Sequence, residues 1–143
     1  MNRDCTIATG ENPEARREVE RGLEAFNARI IGVRGYEPFE AYARDAAGAV
    51  VGGMFGQSGM DWLCIDYLWV AQAERGAGLG RRLLGVALEE ARRRRCVGIF
   101  LYTYSFQALG FYQANGFTVM GKLDNCPVGH QRYYLSRPVG DAG

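Results

Sequence analysis

The sequence predicts a mixed α+β domain in which an antiparallel hairpin leads into a strand–helix–strand unit. Residues 39–44 alternate as FEAYAR, which is typical of a half-buried strand, and residues 49–55 form a second, apolar strand. The turn Asp45–Gly48 between them is typical of a hairpin. The apolar runs Trp62–Val70 and Val97–Tyr104 then lie on either side of a helical pattern. That order requires the second pair of strands to be parallel or nearly so.

Composition limits the classes of function that the chain can have. Its 143 residues predict one domain, 1–143, with a core of ordinary size. The net charge of +1 gives no indication of a nucleic-acid or membrane partner. Four scattered cysteines, the lack of a CxxC pair and a single histidine argue against a zinc site, so we expect no metal. Because no apolar leader or membrane-length run is present, we expect a cytoplasmic protein.

The N-terminal part predicts one helix between two less regular segments. A short strand is expected at Cys5–Ala8. Asn12 followed by Pro13 is typical of a helix start, with Asn as the N-cap and Pro at the first helical position. Apolar residues recur at helical spacing from there to about Ala28. Residues 29–38 contain two glycines and a proline, and we expect an irregular loop.

The two central strands carry unusual residues for a sheet. Gly52 and Gly53 lie in the middle of the second hairpin strand and predict a bulge or the close approach of another backbone. Trp62–Val70 is almost continuously apolar, which predicts a strand covered on both faces. Asp66 is the one charged residue within it.

The helix that follows is predicted to span Arg81–Arg95 and to be amphipathic. The basic run Arg92–Arg95 lies at its C-terminal end, where cations interact favourably with the helix dipole, and we interpret it as a solvated helix end. The alternative, a nucleic-acid patch, lacks interleaved aromatic residues and general basicity. The apolar stripe consists of Leu83, Leu84, Ala87, Leu88 and Ala91.

The C-terminal third predicts one helix and two more strands. Ser105 is expected to cap a helix over Phe106–Asn115, which ends at an Asn-Gly pair. Two strands are predicted at 117–123 and 131–135, and residues 137–143 are expected to form a loose tail.

A glycine-rich turn after the strand Trp62–Val70 predicts an anion site. Gly76, Gly78 and Gly80 leave the backbone bare, and the following helix adds unpaired N–H groups and a partial positive charge. The P-loop pattern fails because no Lys-Ser or Lys-Thr follows the glycines. The dinucleotide pattern GxGxxG fails because the spacing is GxGxG.

Two motifs in register resemble the GNAT superfamily of N-acetyltransferases. Arg75–Gly80, RGAGLG, is similar to the family's pyrophosphate loop, and Ala108–Phe117, ALGFYQANGF, is similar to its second common segment. The order of elements agrees over most of the chain. The resemblance implies a central, mostly antiparallel sheet of six to seven strands, flanked by about four helices, with a splayed parallel pair at its centre.

The resemblance also implies that acetyl-CoA is the co-substrate and that its acetyl group passes to an amine. The pyrophosphate would be bound at the glycine turn, and pantetheine would lie along the strand like an added strand and satisfy its backbone groups. The cofactor-binding residues that it implies are Leu68, Trp69, Val70, Arg75, Gly76, Ala77, Gly78, Leu79, Gly80, Arg81, Ser105, Ala108, Phe111 and Tyr112.

Two residues are the candidates for proton transfer. The resemblance implies that Tyr112 protonates the departing thiolate. Asp66 is the candidate general base, because an aliphatic ammonium with a pKa of about 10.4 must lose a proton before it attacks. The alternative for Asp66 is a carboxylate paired with an arginine or hydrogen-bonded to a tyrosine. Glu37, Glu40 and His130 are weaker candidates for the base.

The acceptor is expected to be a small primary amine, bound by aromatic surface. Tyr36, Phe39, Tyr67 and Tyr104 are the candidate acceptor-binding residues, through stacking or cation–π contact. Alternatives are a protein N-terminal or lysine acetyltransferase and a non-catalytic acyl-CoA sensor or regulatory module. Exposed strands near the C-terminal end would allow a homodimer.

Overall fold

The computed structural model describes residues 4–140, which divide into one unit ending at Gly35 and another beginning at Tyr36. A single domain therefore stays a prediction. The first unit contains helix α1, Pro13–Ile31, with the predicted start: the Asn12 side chain accepts a hydrogen bond from the Ala15 N–H at 3.0 Å. The helix runs past the predicted end until Gly32, whose φ of 77° ends it. The expected strand at Cys5–Ala8 is wrong, because those residues are exposed and adopt no regular structure.

The second unit is a six-stranded mixed sheet with helices between its strands. The strands follow the order β1-β2-β3-β4-β6-β5, and β3 with β4 is the single parallel pair among the described strands. This confirms the predicted fold class, with three α-helices and one 3₁₀ helix in residues 4–140. Its elements are β1 Glu37–Arg44, β2 Val50–Gly59, β3 Trp62–Val70, a 3₁₀ helix Gln72–Glu74, α2 Leu79–Arg93, β4 Gly98–Tyr104, α3 Leu109–Ala114, β5 Thr118–Asp124 and β6 Gln131–Pro138.

Helix α2 covers one face of the sheet and forms the core with it. Its predicted apolar stripe is confirmed, since all of its residues except the partly buried Leu88 are buried. Apolar area removed from water at these positions provides the main stabilisation of the unit. The fully buried residues that meet there are Leu63, Ala87, Ala91, Ile99 and Leu135.

A β-bulge at Asp66 changes the direction of strand β3. Tyr67 pairs with Phe55 of β2 and Ile65 pairs with Gly56, so Asp66 has no partner residue on β2. Such an extra residue bends a strand and reverses which side chains face each side. Leu63 and Ile65 are therefore buried before the bulge, whereas Leu68 and Val70 pack against the core after it.

Gly56 makes this bulge sterically possible. A Cβ atom at Gly56 would lie 1.9 Å from the carbonyl oxygen of Cys64 and 3.1 Å from the Asp66 nitrogen. The close approach predicted at Gly53 is confirmed, because a Cβ there would lie 2.8 Å from the Ala41 oxygen. The bulge lies next to Gly56, four residues after Gly52, the first glycine at which a bulge was predicted.

Beyond the bulge, β3 leaves its parallel neighbour. The pairing of β3 with β4 covers only Trp62–Cys64. Tyr67 and Trp69 are consequently 66% and 53% exposed. The prediction that both faces of this strand are covered is thus wrong for its second half.

One residue of the basic run at the end of α2 is structural, so the interpretation of the run as a solvated helix end is wrong for Arg94. This side chain is 9% exposed. Its guanidinium donates hydrogen bonds to the carbonyls of Glu37 and Pro38 at 2.9 Å and to the Ser58 hydroxyl at 3.0 Å. It also pairs with Glu90 at 2.9 Å. Arg94 therefore joins the end of α2 to both hairpin strands.

The C-terminal segment departs from the sequence prediction at two places. Ser105 does not cap a helix, because its hydroxyl accepts the backbone N–H of Gln131 at 3.1 Å, and α3 begins only at Leu109. Residues 137–139 are not a loose tail: β6 reaches Pro138, and the buried Val139 donates to the Val97 carbonyl at 3.1 Å. The last three residues of the expected tail lie outside the described residues.

Arg94→Met should lower the free energy of unfolding by about 3 kcal/mol, because two carbonyls and the buried Ser58 hydroxyl lose their donor. Glu90 is then left with the exposed Arg93 as its partner. Urea denaturation at pH 7 measures this. Arg93→Met is the matched control: Arg93 is 65% exposed, and its replacement should cost less than about 1 kcal/mol. Equal losses in the two variants would contradict the structural role of Arg94.

Candidate functional site

A cavity of about 840 Å³ lies where β3 and β4 diverge. One wall is the second half of β3, and the other is the end of β4. The turn before α2 and the segment leading into α3 complete it. The β3–β4 pairing ends at Cys64, and the bulge at Asp66 follows two residues later, so the bent part of β3 forms the cavity wall and leaves this space unfilled.

The turn before α2 is open to an anion. Gly76 and Gly78 have φ values of 83° and 85°, which favour glycine strongly. A Cβ at either position would meet no atom within 4 Å, so the space above this backbone is free. Gly78 is the N-cap of α2 without a side-chain cap, and the first helical turn contains no acidic residue. Its N–H groups and the helix dipole therefore remain available to a ligand.

The third glycine of the turn serves packing. A Cβ at Gly80 would lie 3.0 Å from the ring of Phe111, so this position must be small for α2 and α3 to meet. Arg75 flanks the turn, and its Nε donates to the Val70 carbonyl at 3.2 Å. Arg81 lines the cavity at the helix start, as predicted.

Tyr112 reaches the cavity from α3 and is 7% exposed. Its ring packs edge-on against Phe111 and Phe117, with centroids 5.2 and 5.8 Å away. Burial raises the pKa of the Tyr112 hydroxyl above its usual value of 10. Tyr112 therefore keeps its proton throughout the neutral range and can donate it.

Asp66 faces the cavity and is exposed, so its charge is not buried although it lies in an apolar strand. The Cys64 thiol donates to the Asp66 carboxylate across 3.4 Å. Burial and this hydrogen bond together raise the pKa of Cys64 to about 12. Asp66 is thus a solvated carboxylate, and its hydrogen bond adds to the larger effect of burial in keeping the Cys64 thiol neutral.

Most of the predicted cofactor residues line this one cavity, whereas two of the predicted acceptor residues do not. Phe39 is in the core, 6% exposed, with the Arg94 guanidinium 5.7 Å from its ring. Tyr36 lies against Gly59, away from the cavity. The predicted residues that line it are Asp66, Tyr67, Leu68, Trp69, Val70, Arg75, Gly76, Gly78, Leu79, Gly80, Arg81, Tyr104, Ala108, Phe111 and Tyr112; Ala77 and Ser105 are outside this set.

The cavity also contains residues that the sequence interpretation missed. Tyr102 alternates with the buried Leu101 and Thr103 along β4, so the two-residue period of a strand would have placed it beside Tyr104. Phe106 stacks on Tyr104 with ring centroids 5.2 Å apart and planes 7° apart. Glu74 and Gln107 complete the polar lining.

The weaker candidates for the base lie outside the cavity lining. His130 is exposed, with its Nδ1 3.2 Å from the Ser105 hydroxyl and its ring against Phe106 at 4.9 Å. Glu37 lies 3.7 Å from Arg94, and Glu40 contacts the Tyr42 hydroxyl. Asp66 is therefore the one of these four groups that faces the cavity.

Two features are absent from the part of the chain that the structure describes. Residues 4–140 contain no group of three or more His, Cys, Asp or Glu side chains placed to hold a metal ion. No helix within the same range is long and apolar enough to cross a membrane.

Comparison with known proteins gives one consistent family. Residues 34–119 match the family model described as acetyltransferase (GNAT) domain. A blasticidin-S acetyltransferase of Streptomyces morookaense is 39% identical over 113 residues, which are 77% of this chain and 82% of that protein. An acetyltransferase of Agrobacterium fabrum is 32% identical over 124 residues, covering 87% of this chain and 90% of its own.

A solved structure agrees over nearly the whole chain. An acetyltransferase from Bacillus cereus superposes with a TM-score of 0.85 at 25% identity, covering 93% of this chain and 97% of that one. This match covers more of the chain than the family model, which spans residues 34–119.

Asp66→Asn should make Cys64 more reactive toward iodoacetamide at pH 8, because it removes one of the causes that raise the pKa of this thiol, and a larger fraction is then thiolate. Peptide mapping by mass spectrometry at timed intervals measures the rate at each cysteine. Cys96 is the internal control, because burial is the main cause of its raised pKa and Asp66 is not among the causes. An unchanged rate at Cys64 would show that the two side chains do not interact.

Proposed function

Because this chain belongs to the GNAT family and is an acyl-CoA-dependent N-acetyltransferase, we propose that it acetylates a primary amine of a small molecule with acetyl-CoA. The amine attacks directly while both substrates are bound. The observation that carries this proposal is a single cavity that joins an open anion site to a carboxylate and a protonated phenol.

The anion site suits the pyrophosphate of acetyl-CoA. Gly76 and Gly78 leave free space above the backbone, and the first turn of α2 has unpaired N–H groups next to Arg81. The wall of the cavity from Ile65 to Val70 lies beyond the end of the β3–β4 pairing, so its backbone groups suit the amides of the pantetheine arm. When bound, acetyl-CoA supplies an activated acetyl group on a thiol that can leave.

Asp66 and Tyr112 would divide the proton transfers. Asp66 accepts a proton from the ammonium group of the acceptor, directly or through water, so that the nitrogen lone pair is free to attack. The new C–N bond forms as the C–S bond breaks, and the nitrogen then passes its surplus proton to water, which leaves a neutral amide. Tyr112 retains its proton because burial raises its pKa, and it donates that proton to the departing sulfur.

The acceptor side of the cavity favours a small molecule with some apolar surface. Tyr67 is stacked on Phe55 with ring centroids 4.8 Å apart, and Tyr104 is stacked on Phe106. These paired rings give firm aromatic walls without a long acidic groove. The relative from Streptomyces morookaense is named for acetylation of blasticidin S, and this supports a small acceptor here.

Gly78→Ala should weaken acetyl-CoA binding by about tenfold or more, since it places a Cβ over the anion site and forces a left-handed alanine. Isothermal titration with acetyl-CoA measures the change. Gly85→Ala is the matched control: this glycine lies inside α2 with open space around it, and alanine there should leave affinity unchanged. Absence of binding to the unaltered protein would overturn the proposed function.

Tyr112→Phe should lower kcat by about a hundredfold at neutral pH, because it removes the proton donor and keeps the buried ring. Release of CoA, followed by chromatography, gives the rate. Tyr133→Phe removes a hydroxyl from a partly buried tyrosine outside the cavity and should keep full activity.

The dependence of the rate on pH tests the role of Asp66 as the base. In Asp66→Asn, kcat/KM should fall most at low pH and recover as the pH approaches the pKa of the amine, about 10.4 for an aliphatic acceptor. If Asp66→Asn and the unaltered protein have the same kcat/KM at every pH, Asp66 is not the base.

A further inference from the structure

Arg132 places a positive charge directly behind the acceptor wall of the cavity. It lies on β6 opposite Tyr104 of β4. Its Nη2 donates to the Tyr104 hydroxyl at 2.6 Å, and its Nη1 donates to the Tyr134 hydroxyl at 3.3 Å. The guanidinium also lies over the ring of Tyr102, 4.3 Å from its centroid. Tyr102 and Tyr104 both line the cavity.

This guanidinium has only neutral groups as hydrogen-bond partners in the described structure. Within residues 4–140, no ion pair includes Arg132, and its buried Nε has no hydrogen-bond partner. A guanidinium stays charged, and a partly desolvated cation is stabilised by a nearby anion. Its field is directed into the cavity through the two tyrosines that it contacts.

The hydroxyl of Tyr104 provides a directional hydrogen-bond donor next to this charge. Its oxygen already accepts a hydrogen bond from Arg132, so its own proton is left for another acceptor. Stacking on Phe106 fixes the plane of the ring. A phenol polarised by a cation donates a stronger hydrogen bond to a negatively charged oxygen than to a neutral one.

The opposite charge lies on the other strand of the same cavity. Asp66, on β3, is an exposed carboxylate, whereas Tyr104 with Arg132 behind it lies on the β4 side. We propose that the acceptor is an amine that also carries a carboxylate: Asp66 faces its ammonium group, and Tyr104 binds its carboxylate with Arg132 as the positioning residue. This inference rests on the proposed function and names the class of its acceptor.

The test compares matched acceptors with the unaltered protein and acetyl-CoA. Each pair consists of an amino acid and its carboxamide, taken from α-, β- and γ-amino acids with aliphatic and aromatic side chains. The amide has the same size but no negative charge, and its amine is the less basic, which favours the amide at neutral pH. We expect kcat/KM to be at least about tenfold higher for the acid in the accepted pairs, as for one charge-assisted contact.

Variants of the cation separate charge from folding. Arg132→Met should reduce the preference for the acid to about one while the Kd for acetyl-CoA stays the same, and Arg132→Lys should restore part of the preference. Arg137→Met, on the same strand but bonded to the Asn115 carbonyl, should retain it. If Arg132→Met does not fold, Tyr104→Phe gives the second measurement and should also lose the preference.

The outcomes for the two proposals are distinct. If acetyl-CoA binds but the acid and the amide react at equal rates in every pair, or neither member reacts, the carboxylate inference is overturned. An unchanged preference in Arg132→Met and Tyr104→Phe overturns it as well. Failure to bind acetyl-CoA at all instead overturns the proposed function.

Discussion

One extra residue in β3 is the constraint on which the rest of the second unit depends. Asp66 has no partner on β2, and the carbonyl of Cys64 passes so close to Gly56 that only glycine leaves room for it. The strand consequently bends away from β4, and the order of its side chains reverses. The bend opens the cavity, exposes a carboxylate within it, and still lets Leu68 and Val70 reach the core.

Helix α2 has two ends with different tasks. Its N-terminal end lacks a side-chain cap, which leaves backbone donors available beside the cavity. Its C-terminal end is held by Arg94, which bonds to Glu90 and to both hairpin strands. Because the second end supplies stability, the first can keep unsatisfied groups for a ligand. The buried stripe between them fixes the helix on the sheet.

Local patterns were sufficient to predict several parts of this structure. The bounds of β3, the start of α1 at Asn12, the stripe of α2 and the glycine turn follow from residue spacing. The bulge was not predictable, since it depends on contact between two strands. For the same reason, the apolar run of β3 predicts a strand buried on both faces, although Tyr67 and Trp69 are exposed. The sequence also does not distinguish an aromatic residue of the site from one of the core, and Phe39 belongs to the core. Arg94 was misread because a charge run shows nothing about distant carbonyl acceptors.

The contact of Gly80 with Phe111 has a mechanical consequence. Helix α3 has six residues, well below the length of about 12 at which a helix becomes stable alone. Its position therefore depends on the residues that pack against it. Phe111 rests on α2 beside the glycine turn, and Tyr112 is the next residue. A displacement of the turn would therefore press on Phe111 and, through it, on the neighbouring Tyr112, which couples the proposed anion site to the proposed proton donor.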